Sequence, residues 1–100
     1  MTVQEFFDKN AGLSGTLHIF PRIYCADGFN ISVQAHSGAY CSPRDGQGPW
    51  SLVECGYPSA EPELIMQYAE DKENPTATAY GYVPIDLVDQ LLELHGGISA

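Results

Sequence analysis

Residues 29–35 constrain the fold most, because apolar and polar side chains alternate along them with a period of two. The apolar positions are Phe29, Ile31, Val33 and Ala35, and the polar positions between them are Asn30, Ser32 and Gln34. This alternation predicts a β-strand with one buried and one exposed face. The turn signal Ala-Asp-Gly at 26–28 precedes it, and residues 17–24 have a strand composition, so a hairpin is predicted. Because Pro21 cannot donate to a sheet, we expect the first strand at an edge or with a bulge.

Two further strands and a long loop are predicted after the hairpin. Residues 50–57 form one strand, which Pro58 ends, and residues 76–83 form the other because β-branched and aromatic side chains are common there. Tyr80 and Tyr82 are expected on one face of that last strand, with one of the two exposed. Residues 36–49 are rich in Ser, Gly and Pro, around Arg-Asp-Gly at 44–46, and predict a loop.

Helices are predicted at both ends of the sequence. Thr2 and Glu5 have the spacing of a capping box, and Asn-Ala-Gly at 10–12 ends the helix that follows. A second helix starts with Pro84 at its first position and ends at Gly96-Gly97, with a buried stripe at positions 85, 88, 91 and 92.

A short helix is also predicted within residues 59–69, where Leu64, Ile65 and Tyr68 suit one apolar face. The sequence therefore predicts a single domain over residues 1–100 of the α+β class. Its core element is a small, largely antiparallel four-stranded sheet covered by an N-terminal and a C-terminal helix.

The composition limits the function classes. At 44% apolar and 17% charged residues, the chain has enough apolar side chains for a core, which argues against disorder. There is no apolar run long enough to span a membrane, and residues 1–5 lack the basic and apolar parts of a secretory signal. We therefore predict a soluble cytoplasmic protein that does not bind membranes.

Acidic residues dominate the charge. Thirteen Asp and Glu against four Lys and Arg give a net charge of −9, too few cations for direct binding to nucleic acid. Residues 61–93 contain eight acids and one base, Lys72. The eight are Glu61, Glu63, Glu70, Asp71, Glu73, Asp86, Asp89 and Glu93. This excess either keeps a small domain soluble or faces a basic surface of another protein.

Within this acidic third, a charged turn and the polar face of the last helix are the candidate partner-binding groups, together with two aromatic residues near loops. These residues are Glu70, Asp71 and Glu73 in the turn, Asp86, Asp89 and Glu93 on the helix, and Tyr40 and Trp50. The carboxylates would present phosphate-like charges to Lys or Arg. Tyr and Trp are frequent interface anchors, although a Trp at a strand start is also typical of a core.

The cysteines do not predict a metal or a catalytic site. Fifteen residues separate Cys25 from Cys41, and thirteen separate Cys41 from Cys55. A zinc site built from these cysteines would take His18, His36 or His95 as its fourth ligand. Zinc sites usually contain two ligands close together in the sequence, and this spacing lacks such a pair of cysteines. His36 and Cys41 are the closest thiol–imidazole pair, and no oxyanion-hole signal accompanies them. An odd number of cysteines in a reducing compartment disfavours a disulfide. We predict no metal, no cofactor and no catalysis.

Several segments resemble a group of small acidic accessory proteins of tailed phages and prophages, a family without an assigned activity. The resemblance covers most of the chain and is carried by residues 21–29 (PRIYCADGF), 40–44 (YCSPR), 48–50 (GPW), 53–59 (VECGYPS), 68–71 (YAED), 80–84 (YGYVP) and 95–98 (HGGI). It implies a phage source and action in the bacterial cytoplasm, and it assigns no site residue. By analogy of class, such proteins resemble anti-CRISPR and anti-restriction inhibitors that occupy a DNA-binding groove.

These observations predict a non-enzymatic phage protein that binds and inhibits a host protein or ribonucleoprotein complex through an acidic, nucleic-acid-mimicking face. The alternative is a structural or assembly protein of the virion that forms a homodimer or larger oligomer through an exposed sheet edge. A third hypothesis is a zinc- or thiol-dependent enzyme built on Cys25, His36 and Cys41.

Overall fold

The alternating segment forms the second strand of a four-stranded sheet. A computed structural model of the protein describes residues 1–10, 19–44 and 48–99. Its elements are α1 (Val3–Asn10), β1 (Ile23–Tyr24), β2 (Asn30–Gln34), β3 (Leu52–Gly56), a 3₁₀ helix (Glu63–Tyr68), β4 (Ala79–Pro84) and α2 (Ile85–Leu94). Within the described residues, the strands form one antiparallel sheet in the order β1-β2-β3-β4. The α+β prediction, with one helix towards each end of the chain, is confirmed.

The period of two in β2 is realised as buried and exposed faces. Ile31 and Val33 are fully buried, whereas the polar residues between them are partly exposed. Ile31 pairs with Ile23 of β1, and Val33 pairs with Cys55 of β3. The side chains that alternate in the sequence therefore set which face of the sheet carries the core.

The first strand is shorter than predicted. Strand pairing begins at Ile23, because Pro21 lacks an N–H and the backbone of Phe20 pairs with a side chain instead. The N–H of Phe20 donates to Gln34 Oε1, and the carbonyl of Phe20 accepts from Gln34 Nε2, both at 2.8 Å. Residues 17 and 18, the start of the predicted strand, lie outside the described residues.

The predicted capping box starts α1. The backbone N–H of Thr2 donates to Glu5 Oε1 at 2.7 Å, and the N–H of Glu5 donates to Thr2 Oγ1 at 3.1 Å. Asp89 of α2 satisfies another free amide of this first turn, since its Oδ1 accepts from the N–H of Val3 at 2.8 Å. The helix ends at Asn10, and the other two residues of the predicted stop signal lie outside the described part of the chain.

The last helix begins one residue later than predicted. Pro84 is the last residue of β4, with an extended backbone (φ −54°, ψ 128°), and α2 starts at Ile85. Val88, Leu91 and Leu92 form its buried stripe, while Ile85 is partly buried. Gly96 and Gly97 end the helix as predicted, with φ values of +90° and +84° that favour glycine.

The segment before β4 forms a 3₁₀ helix, which corrects the predicted apolar face. With three residues per turn, positions i and i+3 share a side, so Ile65 and Tyr68 face the same way. Ile65 is fully buried and Tyr68 is partly buried, whereas Leu64 is 39% exposed. Leu64 is therefore a surface residue rather than a member of the buried face.

A β-bulge in β4 separates the two tyrosines that were expected on one face. Val53 pairs with Val83 and Cys55 pairs with Tyr80, so Gly81 and Tyr82 together lie opposite Glu54. Tyr82 has a φ of +52°. As a result Tyr80 is fully buried and Tyr82 is 44% exposed.

The end of the chain is tied to the turn of the β1–β2 hairpin. Asp27 Oδ1 accepts from the N–H of Phe29 at 2.9 Å, and Asp27 Oδ2 lies 2.7 Å from His95 Nδ1. The His95 ring stacks on Phe29 with centroids 4.0 Å apart. The hydrogen bond from Phe29, followed by the one from His95, lowers the pKa of Asp27 below its ordinary value.

This lowered pKa predicts that the folded protein loses stability as the pH falls. The Asp27→Asn variant should lack this part of the pH dependence. Because the pKa of Asp27 is lower in the folded state, its stabilisation is present above the unfolded pKa and is lost as pH falls through the folded pKa. The Asp27→Asn variant would keep the acceptor for Phe29 but not the charge. Urea unfolding at a series of pH values should show wild type more stable near neutral pH and the difference vanishing in acid. A difference that does not change with pH would contradict this account.

Candidate protein-binding surface

A groove lies between the 3₁₀ helix and α2. It consists of two adjoining depressions of about 430 and 450 Å³, and Leu64 and Leu94 line both. Leu94 is 70% exposed and Leu64 is 39% exposed. Scattered exposed leucines are ordinary, but two leucines from different elements that line one groove form a continuous apolar strip.

Carboxylates flank this apolar strip. Glu63, the first residue of the 3₁₀ helix, and Glu61, two residues before it, line the first depression, and Asp89 and Glu93 of α2 line the second. The described lining residues also include His95 but neither Lys nor Arg. We call this surface the acidic groove and define it by Glu61, Glu63, Leu64, Asp89, Glu93 and Leu94.

The acids of α2 lie close enough together to influence one another. Partial burial raises the pKa of Asp89, and the negative charges of Asp86 and Glu93 raise it further, against the lowering effect of the hydrogen bond from Val3. The predicted helix group is therefore one cluster in the folded protein. Asp89 also holds the first turn of α1, so part of its role is structural.

The predicted turn group lies in a different place, held by β4. The N–H of Glu70 donates to the carbonyl of Ala79 at 3.0 Å, and the N–H of Asp71 donates to Thr78 Oγ1 at 3.0 Å. The carboxylate of Asp71 accepts from the N–H of Glu73 at 3.1 Å and from the Asn74 side chain at 2.9 Å. Glu70 and Glu73 are exposed. Seven of the eight acids thus form two groups, four in the groove and three in this turn, whereas Asp86 is exposed on α2 and lines neither depression.

The two aromatic candidates have different environments. Tyr40 is 45% exposed, and its ring centroid lies 5.8 Å from that of Tyr82. Trp50 is 9% exposed and packs edge-on against Phe7 and Phe20, with centroid distances of 5.4 and 6.3 Å. Tyr40 is thus available at the surface, whereas Trp50 is part of the core.

The cysteines lie in the interior. Burial raises the pKa values of Cys25 and Cys55, which favours the protonated thiol over the nucleophilic thiolate. The Cys41 thiol lies within hydrogen-bond distance of two acceptors, the carbonyl oxygens of His36 (3.3 Å) and Pro43 (3.5 Å), and His36 Nδ1 accepts from the N–H of Gly38. Across residues 1–10, 19–44 and 48–99, no three His, Cys, Asp or Glu side chains are grouped to hold a metal ion. His18 lies outside those residues.

Segments of the same chain lie along both outer strands of the sheet. Beside β1, Cys25 forms a bridge with Ile98, and the N–H of Ser99 donates to the carbonyl of Tyr24 at 2.7 Å. Beside β4, Ala69 forms a bridge with Tyr80. The edges expected to mediate oligomerisation are therefore partly paired within the chain, which reduces the backbone available to a second copy. Neither helix in the described residues has the length and apolarity needed to cross a bilayer.

The sequence-based prediction missed the apolar half of the groove and one of its acidic sides. In the sequence, Glu61 and Glu63 count among the eight acids but are not assigned to a site, and Leu94 has no assigned role. A signal for Leu94 exists in the sequence, because it lies outside the stripe formed by positions 88, 91 and 92. The pairing of Leu94 with Leu64 depends on tertiary contact and has no local signal.

Comparisons with known proteins add no constraint to this geometry. No protein-family model, no curated protein and no solved structure matches the chain. The resemblance to phage accessory proteins stays a prediction, and any function assigned to the chain depends on the groove itself.

Proposed function

We propose that this chain is a non-enzymatic phage accessory protein that binds a basic surface of a host protein or ribonucleoprotein complex and inhibits it in the bacterial cytoplasm. The acidic groove is the observation that carries the proposal. It places four carboxylates beside two exposed leucines on one side of the molecule.

The charge of the groove supports recognition of a cationic partner. The chain has a net charge of −9, and the groove concentrates part of it on two neighbouring elements. Such a field accelerates encounter with a basic surface and disfavours acidic partners. Lys and Arg side chains that normally contact phosphates are the natural counterparts of these carboxylates, which is the sense in which the face mimics nucleic acid.

The leucines support binding rather than solubility as the role of this surface. Exposed ion pairs contribute between about 0 and 1 kcal/mol each, so charge by itself gives weak and salt-sensitive association. An apolar strip inside the charged rim adds the burial that stabilises a complex. A surface selected for solubility has no need of a 70% exposed leucine among its acids.

The proposal is tested by affinity capture from a bacterial host with matched charge reversals. Glu61→Lys with Glu93→Lys reverses one acid on each side of the groove, and Asp89 is left intact because it holds α1. Glu70→Lys with Glu73→Lys makes the same charge change in the exposed turn. We expect a host protein that is recovered with wild type and with the turn variant, and lost with the groove variant.

The same three proteins, expressed in cells, give the functional readout. Inhibition of the captured host system should follow the capture result, present for wild type and the turn variant and absent for the groove variant. Recovery of the same host protein by the groove variant, or loss through the turn variant, would refute the assignment of binding to the groove.

A further inference from the structure

We infer that the acidic groove binds one face of a cationic amphipathic α-helix. Two apolar side chains about one turn apart would enter the two depressions, and Lys or Arg residues beside them would pair with the carboxylates on both sides. This inference rests on the proposed function, because it names the kind of partner segment that the same surface recognises.

The paired depressions indicate two neighbouring apolar anchors. Both depressions are open to solvent, and they share Leu64 and Leu94, so they adjoin. Side chains at i and i+4 of a helix stand about 5–6 Å apart on one face. Helix-in-groove recognition places neighbouring apolar anchors of one helix face on one surface, and two adjoining depressions offer two such positions.

The distribution of charge specifies the flanks of the helix. Glu61 and Glu63 lie with the first depression, and Asp89 and Glu93 lie with the second, so carboxylates accompany both anchor positions. A helix with basic residues on either side of its apolar stripe places cations near each of these two pairs of carboxylates. Charge complementarity of this kind fixes orientation and rejects acidic helices.

Charge also argues against a second copy of this chain as the occupant. The polar face of α2 carries Asp86, Asp89 and Glu93, and docking that face into an identical groove would bring like charges together. A neutral apolar ligand would leave the carboxylates without counterions beside it. A cationic amphipathic helix provides apolar contacts for the leucines and counterions for the acids.

The test uses a synthetic helical peptide as the probe, with leucines at i and i+4 flanked by lysines. Binding is measured by isothermal titration calorimetry at low salt. Three control peptides change one property each: serines replace the leucines, glutamates replace the lysines, or a central proline breaks the helix. We expect binding of the parent peptide to wild type and losses of about tenfold or more with every control.

Variants of the protein locate the binding site. Leu94→Ala and Leu64→Ala should each lower the affinity for the parent peptide about fivefold to tenfold. Ile19 lies outside the groove and is 65% exposed, so Ile19→Ala should leave that affinity unchanged. Glu93→Gln should weaken binding about threefold, and Glu70→Gln in the turn should not. Far-UV circular dichroism confirms that each variant is folded.

Equal binding of the proline-broken peptide would overturn the inference, and so would equal losses from Ile19→Ala and Leu94→Ala. If light scattering shows that the wild-type protein forms dimers and that Leu94→Ala disrupts them, the inference is also overturned, because a second copy of this chain would then occupy the groove. If the peptide fails while a captured host protein still depends on Glu61 and Glu93, the inference fails and the proposed function survives. If the peptide binds but no inhibition depends on the groove, the proposed function fails instead.

Discussion

Replacing Trp50 with alanine is expected to lower the free energy of unfolding by about 3–5 kcal/mol, the range for large aromatic side chains in cores. Trp50 is 9% exposed, and it closes an aromatic cluster in which the rings of Phe7 and Phe20 stack at 4.2 Å. These rings join α1 to the segment before β1 and to the residues just before β3. Since small domains are stable by about 5–15 kcal/mol, this loss is a large share of the total.

Urea unfolding followed by far-UV circular dichroism measures this effect, because Trp50 is the only tryptophan in the sequence and its removal abolishes the fluorescence signal. Tyr24→Ala is the matched surface control. Tyr24 is 55% exposed, so its loss should change stability by no more than about 0.5 kcal/mol. Trp50→Phe, which keeps an aromatic ring, should fall between the two. Near-wild-type stability of Trp50→Ala with loss of partner capture would instead make Trp50 an interface residue.

Reversing the charge of one acid on each side of the groove should weaken the binding of the captured host protein by about tenfold to a hundredfold. Each exposed ion pair contributes up to about 1 kcal/mol, and reversal replaces attraction with repulsion at both positions. A loss of attraction plus added repulsion of about 0.7–1.4 kcal/mol at each of the two positions gives about 1.4–2.8 kcal/mol, where 1.4 kcal/mol corresponds to tenfold in affinity. Folding should be retained, because Glu61 precedes the 3₁₀ helix and a lysine at position 93 suits the C-terminal turn of α2.

Local signals in the sequence were sufficient for much of the fold. Thr2 and Glu5 define the start of α1 through contacts three residues apart, and the alternation over residues 29–35 defines β2 and its buried face. The stripe of Val88, Leu91 and Leu92 defines α2. In each case the residues that carry the signal also make the contacts that stabilise the element.

Where the prediction was wrong, a tertiary or backbone effect changed which side chains face the core. The bulge opposite Glu54 turns Tyr82 outward while Tyr80 stays buried. Gly81 is the local sequence signal for this bulge, because a glycine within a strand often marks one. The tighter 3₁₀ period moves Leu64 out of the predicted apolar face. The apolar part of the acidic groove depends on this second difference, because the exposed Leu64 lines both depressions together with Leu94 of α2.

The acidity of residues 61–93 could be counted from the sequence, but its division into a groove and a turn could not. Glu70 and Glu73 belong to the turn held by β4, whereas Glu61 and Glu63 lie with the acids of α2. Strand β4 lies between the turn and α2 in the chain and determines this separation. The division makes the turn a control for the groove, because the same change of two glutamates to lysines can be made there in a different place.

The salt dependence of partner binding tests the central claim most directly. The affinity of the captured host protein is measured by calorimetry at several salt concentrations for wild type, Glu61→Lys with Glu93→Lys, and Glu70→Lys with Glu73→Lys. We predict that wild-type affinity falls as salt rises, that the groove variant binds weakly at low salt and loses most of this dependence, and that the turn variant follows wild type. Equal affinity and equal salt dependence for all three proteins would contradict binding through the acidic groove.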